Sequence, residues 1–182
     1  MKRITPNLLI SALFISTAFP ALAETSDDVG QLAQSTPTTR TIFVKMDDIS
    51  YSQKTIDVQP GETVRFVLKN EGALMHEFNI GQAATQLEHQ RKMAALFKDG
   101  TLTPTGMTES IVWHERYGTG EANPPGYPEV IKAKHDDPNA ILVEPGTTKE
   151  FVWTFPKAGS LSFACTLPGH YQAGMVGEFA LR

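Results

Sequence analysis

The sequence predicts an all-β fold, a Greek-key β-sandwich of two antiparallel sheets, carrying one long and partly helical insertion. Three observations carry that expectation. Short segments alternate apolar and polar residues with a period of two. Pro-Gly corners recur in near-identical surroundings, and the alternation stops once, between Gly81 and Asn139.

The N-terminus reads as an export signal. Lys2 and Arg3 precede an apolar stretch from Leu8 to Ala18, too short to span a bilayer, and then the small-x-small run Ala21-Leu22-Ala23. Residues 1–23 are therefore expected to be a signal peptide cleaved after Ala23, leaving 159 of the 182 residues and no membrane span in the mature form. Residues 24–39 (ETSDDVGQLAQSTPTT) are polar and aperiodic, the pattern of a flexible leader. A single domain over 40–182 follows, with the insertion at about 82–139.

Within the domain, strands are expected at 41–45, 55–58, 63–70 and 176–181. In the third, Val64, Phe66 and Leu68 share one face while Arg65 and Lys69 occupy the other. The run Val58-Gln-Pro-Gly-Glu-Thr63 is echoed by Val143-Glu-Pro-Gly-Thr-Thr148, and Phe151, Trp153 and Phe155 line one face of the strand that follows the second run. Proline fixes φ and glycine permits a positive φ, so both runs read as hairpin corners. In LMHEFNI, residues 74–80, alternation puts Leu74, His76, Phe78 and Ile80 on the inner face. Met75 then points the other way, to the surface or an outer layer.

Residues 85–98 contain good helix formers and end at Asp99-Gly100, a C-terminal cap, with His89, Met93 and Leu96 along one stripe. The Gly- and Pro-containing stretch beyond shows no long element. A connection of that length is usually functional or mobile, which suits a lid or a partner-binding excursion.

The chain has 16 basic and 20 acidic residues, a net charge of −4 that becomes about −6 once Lys2 and Arg3 are removed. That balance excludes a general nucleic-acid binder, which needs a basic face against phosphate. The one cysteine excludes an internal disulfide framework. In an oxidising compartment a lone thiol needs a chemical reason.

That reason lies in FACTLPGHYQAGMVG, residues 163–177, where Cys165, His170 and Met175 are spaced C-x4-H-x4-M. Leu161, Phe163 and Cys165 alternate with Ser162 and Ala164, which aims the thiol into the apolar layer. Pro168 and the glycines let the loop fold back and present three ligands to one point. A thiolate, an imidazole and a thioether form a soft mixed set suited to copper, whereas zinc prefers another Cys, His or carboxylate. His76 is the candidate second imidazole. It completes the two His and one Cys, with a weak axial Met, of a blue-copper centre.

His89 and Met93, four apart on the helix, invite a weaker second copper site, as do Met107, His114 and His135. The His89–Met93 pair lacks a third ligand. The preferred expectation is therefore that Met93 packs the helix with His89 at its edge, while His135, before Asp136-Asp137-Pro138, makes a structural hydrogen bond.

These motifs resemble the cupredoxins, the plastocyanin, azurin and rusticyanin superfamily. PGHYQAGMVGEF is similar to their ligand loop, with a Cys-to-His spacing nearest the rusticyanin-like length. MHEFNIG, KHDDPNA and FACTLPGHYQAGM together resemble bacterial periplasmic cupredoxins associated with copper tolerance. The resemblance spans residues 41–81 and 134–182, and by matching position implies His76, Cys165, His170 and Met175 as the ligands of one type 1 copper. It also implies a periplasmic location. The chain departs from plastocyanin and azurin at Glu77, where those proteins commonly carry an Asn that bridges the two ligand loops.

The ligand set implies one-electron transfer by cycling between Cu(I) and Cu(II), with His170 nearest solvent and a redox protein docking there through a small, transient interface. The alternative is a copper-tolerance protein that sequesters or hands over periplasmic copper. An enzyme of the copper oxidase or nitrite reductase kind is not expected, because the chain has no His-x-His pair and only three further histidines.

Overall fold

The computed structural model describes residues 28–113, 128–132 and 135–182, with the backbone alone for 109–113 and 128–132. Signal peptide, cleavage site and His114 lie outside the described residues. In chain order the first strands are β1 (Gln31–Leu32), β2 (Arg40–Asp47), β3 (Ser50–Tyr51), β4 (Thr55–Val58), β5 (Thr63–Asn70) and β6 (His76–Gly81). The insertion supplies helix α1 (Ala83–Lys98) and strands β7 (Leu102–Thr103), β8 (Gly106–Met107), β9 (Glu109–Trp113) and β10 (Pro128–Lys132). The chain closes with β11 (Ala140–Val143), β12 (Thr148–Thr154), β13 (Leu161–Ala164) and β14 (Val176–Leu181).

Two five-stranded sheets, in the orders β1-β12-β5-β2-β3 and β11-β6-β13-β14-β4, form the sandwich. The Pro-Gly runs do not make hairpins. Each carries the chain from the second sheet to the first, β4 to β5 and β11 to β12, with Gly61 and Gly146 at φ of 76° and 71°. The physical reason is burial. Ile56 and Val58 need cover as much as Val64, Phe66 and Leu68 do, and both sets are covered when the two strands lie in facing sheets. Nor are the sheets purely antiparallel, since β2 runs parallel to β5 and β4 parallel to β14.

An aromatic cluster fills the space between the sheets. Phe78 stacks on Phe163 at 5.4 Å, Phe163 meets Phe179 at 5.1 Å, and Phe155 meets Phe179 at 4.7 Å. Phe163 lies opposite Gly177 across β13 and β14, and a Cβ at Gly177 would sit 2.1 Å from its Cζ. The ring is fully buried and held on both sides, so it cannot swing away cheaply. Gly177→Ala should therefore destabilise the protein by about 1–3 kcal/mol through overpacking, visible as a lower denaturant midpoint at unchanged slope.

Part of the expected flexible leader is ordered. Residues 31–32 pair with β12, the Trp153 indole N–H donates to Val29 O at 2.9 Å, and Ala33 N–H donates to Val152 O at 3.0 Å. β12 would otherwise leave an open edge, and this short strand covers it. Gly30, at φ 95°, makes the approach feasible, because a Cβ there would fall 2.2 Å from Thr154 O.

The insertion decides what happens on the outer face of the second sheet. Helix α1 begins two residues before the predicted start, with the Thr85 hydroxyl accepting from Gln82 N–H at 3.2 Å. Its buried residues are Gln86, His89 and Met93. The Gln86 amide donates to Ser162 O at 3.2 Å and to Asn79 O at 3.3 Å, tying the helix across β6 and β13. All of β6 is consequently buried. Met75, expected at the surface or in an outer layer, is fully buried in the main core, and its N–H donates to Pro104 O of the insertion at 2.7 Å. Beyond the helix, where no long element was expected, β9 and β10 pair antiparallel. Among the described residues no helix is long and apolar enough to cross a membrane.

Candidate metal centre

His76 opens β6, Cys165 directly follows β13, and Met175 directly precedes β14. Adjacent strands of one sheet thus end at the same place, which brings residues 76 and 165 together across 89 positions of sequence. The intervening loop is wound tightly. His170 N–H donates to Leu167 O at 3.1 Å, Met175 N–H to His170 O at 3.0 Å, and Cys165 N–H to Met175 O at 3.0 Å. Gly169 and Gly174, at φ 86° and 93°, supply the left-handed positions this winding needs. Asp48 holds the other approach, accepting from Ala73 N–H at 2.8 Å and Leu74 N–H at 3.1 Å just before His76.

Ligand atoms of His76, Cys165 and His170 lie within 4.8 Å of one another. The Cys165 Sγ is 3.2 Å from His170 Nδ1, and the two imidazole centroids are 5.2 Å apart. His76, Cys165 and Met175 are fully buried, while His170 is partly exposed at the rim. All four residues singled out by the sequence therefore fall at one end of the sandwich.

Burial, reinforced by His170, pushes the His76 imidazole down to about 4, and burial also lowers His170. Burial first, and the Glu77 carboxylate second, push the Cys165 thiol up to about 12. Two bare imidazoles thus stand ready as donors, and a metal must displace only the thiol proton. With His76 neutral, its 4.0 Å separation from Asp48 is not an ion pair. Both nitrogens of His76 are buried without a hydrogen-bond partner among the described residues. An orphaned buried imidazole facing a thiol and a second imidazole fits a metal ion, and the soft sulfur-and-nitrogen set fits copper.

Sequence reasoning left Glu77 without a role. Its main-chain N–H donates to Cys165 Sγ at 3.3 Å, a bond that any residue here except proline can make and one that tempers the thiolate. Its side chain, completely buried, accepts from the Thr166 hydroxyl and, at 3.3 Å, from Thr166 N–H. The residue after His76 is thereby tied to the residue after Cys165. The bridge between the ligand loops exists, but a carboxylate makes it. Tyr51, donating its hydroxyl to Glu77 O, secures the same strand.

The remaining candidates separate. Met93 packs in the core, as expected, and Met107 is partly buried against it. His89 is buried rather than at the helix edge, 2.9 Å from Glu77 Oε1. His135 does form a hydrogen-bonding contact, 3.0 Å from the same oxygen.

A β-sandwich holding His–Cys–His and a buried Met at one end defines a copper-binding protein. The chain belongs to the copper-binding proteins of the plastocyanin/azurin family, whose model matches residues 39–182. It is 45% identical to the copper-resistant cuproprotein CopI of Pseudomonas aeruginosa, across all of this chain and 98% of that protein. It is 36% identical to a protein of the same name from Rubrivivax gelatinosus, covering 79% of this chain and 67% of that one. Among solved structures, auracyanin B superposes with a TM-score of 0.55 at 20% identity, covering 85% of this chain and 96% of the other, a likeness of fold.

Proposed function

We propose that the chain is a periplasmic blue-copper protein that carries single electrons, its copper held by His76, Cys165, His170 and Met175. The observation that supports it best is the convergence of two neutral imidazoles and a buried thiol beside a fully buried Met175. Copper supplies a one-electron couple between Cu(I) and Cu(II). The chain supplies a mixed donor set that serves both oxidation states, fixed by two strand ends and a hydrogen-bonded loop, so little rearranges on electron transfer. Pro168, Gly169, Gln172 and Ala173 are exposed around the partly exposed His170, which makes this rim the face for a transient redox protein. The role is non-enzymatic.

A second reading is copper tolerance, by sequestering or handing over periplasmic copper. It is favoured by the name of the relative that matches over the whole length of the chain. Both readings use the same centre. In the copper-loaded protein, one electron per Cys165 should be gained and lost reversibly in a titration with dithionite and ferricyanide. Irreversible bleaching would sink the carrier. Deleting the gene and measuring growth on excess copper tests tolerance, and unchanged growth would count against it.

A further inference from the structure

Behind the copper end, on the outer face of the second sheet, lies a second cluster of metal-binding side chains. Glu77 on β6, His89 on α1 and His135 before β11 bring ligand atoms within 4.8 Å of one another. The triangle is tight. Glu77 Oε1 is 2.9 Å from His89 Nε2 and 3.0 Å from His135 Nε2, and the two nitrogens are 3.2 Å apart. Asp137 Oδ2 stands 3.3 Å from His135 Nε2 on the more open side.

Hydrogen bonding alone accounts poorly for this arrangement. Glu77 Oε2 already accepts from the Thr166 hydroxyl and N–H, which leaves Oε1 alone to face the two imidazole nitrogens. With both Nε2 atoms protonated, two N–H groups confront each other. With either one bare, its lone pair confronts the carboxylate. No placement of the imidazole protons satisfies all three edges, whereas a cation at the centre meets three lone pairs at once. Ligands at about 2.0 Å lie roughly 2.8 Å apart at the right angles of a tetragonal Cu(II) site and roughly 3.3 Å apart at tetrahedral angles, and the edges seen here fall between the two.

We propose that Glu77, His89 and His135, with Asp137 as a fourth oxygen donor, form a second divalent-metal site that takes Cu(II). The donors are nitrogen and oxygen without sulfur, which suits Cu(II) over Cu(I), and Cu(II) stands above Zn(II) in affinity for such a set. Glu77, His89 and His135 are almost wholly buried, while Asp137 is about one-third exposed, which gives the ion a way in. The assignment rests on this cluster's own geometry and stands apart from the electron-transfer reading.

The test is a Cu(II) titration of the metal-free mature protein, followed by absorption and electron paramagnetic resonance. Two equivalents should bind, one with an intense thiolate band and one without it but with nitrogen hyperfine structure. His135→Gln keeps a hydrogen bond to Glu77 and removes the imidazole. It should weaken the second equivalent at least tenfold and leave the band and melting temperature in place. His89→Ala should likewise weaken the second equivalent and leave the band in place. Cys165→Ser should do the reverse, losing the band while the second equivalent keeps its full affinity, so that failure of one site is distinguishable from failure of the other. Binding of a single equivalent, or a second equivalent untouched in both histidine variants, would overturn the proposal.

Discussion

Cys165→Ser should abolish the intense visible absorption of the copper-loaded protein. The band arises from charge transfer between thiolate and copper, and Cys165 is the chain's one cysteine. A serine hydroxyl keeps the size of the side chain and its place at the end of β13. It does not deprotonate readily and is a poor partner for Cu(I). His76, His170 and Met175 remain, so weak Cu(II) binding without the band is the expected residue of activity. Loading at a thousand times the dissociation constant stabilises a native protein by roughly 4 kcal/mol, and the increment belonging to this centre should shrink as the loss of the thiol raises that constant. A variant that kept the band would remove Cys165 from the copper.

Glu77→Ala should cost the metal-free protein about 3–5 kcal/mol, a large share of the stability of a domain this size. The carboxylate is completely buried and faces four polar groups, the Thr166 hydroxyl and N–H and the imidazoles of His89 and His135. Removing it strands all of them. The backbone bond from residue 77 to Cys165 Sγ survives, so the centre should still take copper while the loop from Thr166 onward loosens. Denaturant unfolding without metal measures the first effect, and broadening of the copper spectrum measures the second. A loss below about 1 kcal/mol would mean that solvent reaches the cluster and replaces the carboxylate.

The primary centre was legible in the sequence because most of it is local. Cys165, His170 and Met175 fall within eleven residues, and their alternation and spacing report directly on direction and turn. His76 was legible through period-two alternation in its own strand. For the residues on either side of it, alternation reported the face but not the burial. Met75 and Glu77 belong to the face that reads as outer, yet both are fully buried. A strand pattern cannot report a layer contributed from elsewhere in the chain, and here that layer is α1 and the turn between β7 and β8, where Pro104 O accepts from Met75 N–H. The Pro-Gly corners show the same limit, since a turn motif fixes the local bend but not which sheet receives the next strand.

The sequence by itself determined the sandwich, the limits of β4, β5 and β14, the helix and the four residues of the copper end, because each depends on side-chain periodicity or short spacing. Only the tertiary structure decided the mixed sheet order, the docking of residues 28–33 on β12 and the gathering of Glu77, His89 and His135. Those three come from a strand, a helix and a loop whose meeting depends on how the insertion packs. Packing free energy is shared among distant residues, so no short window of sequence carries it.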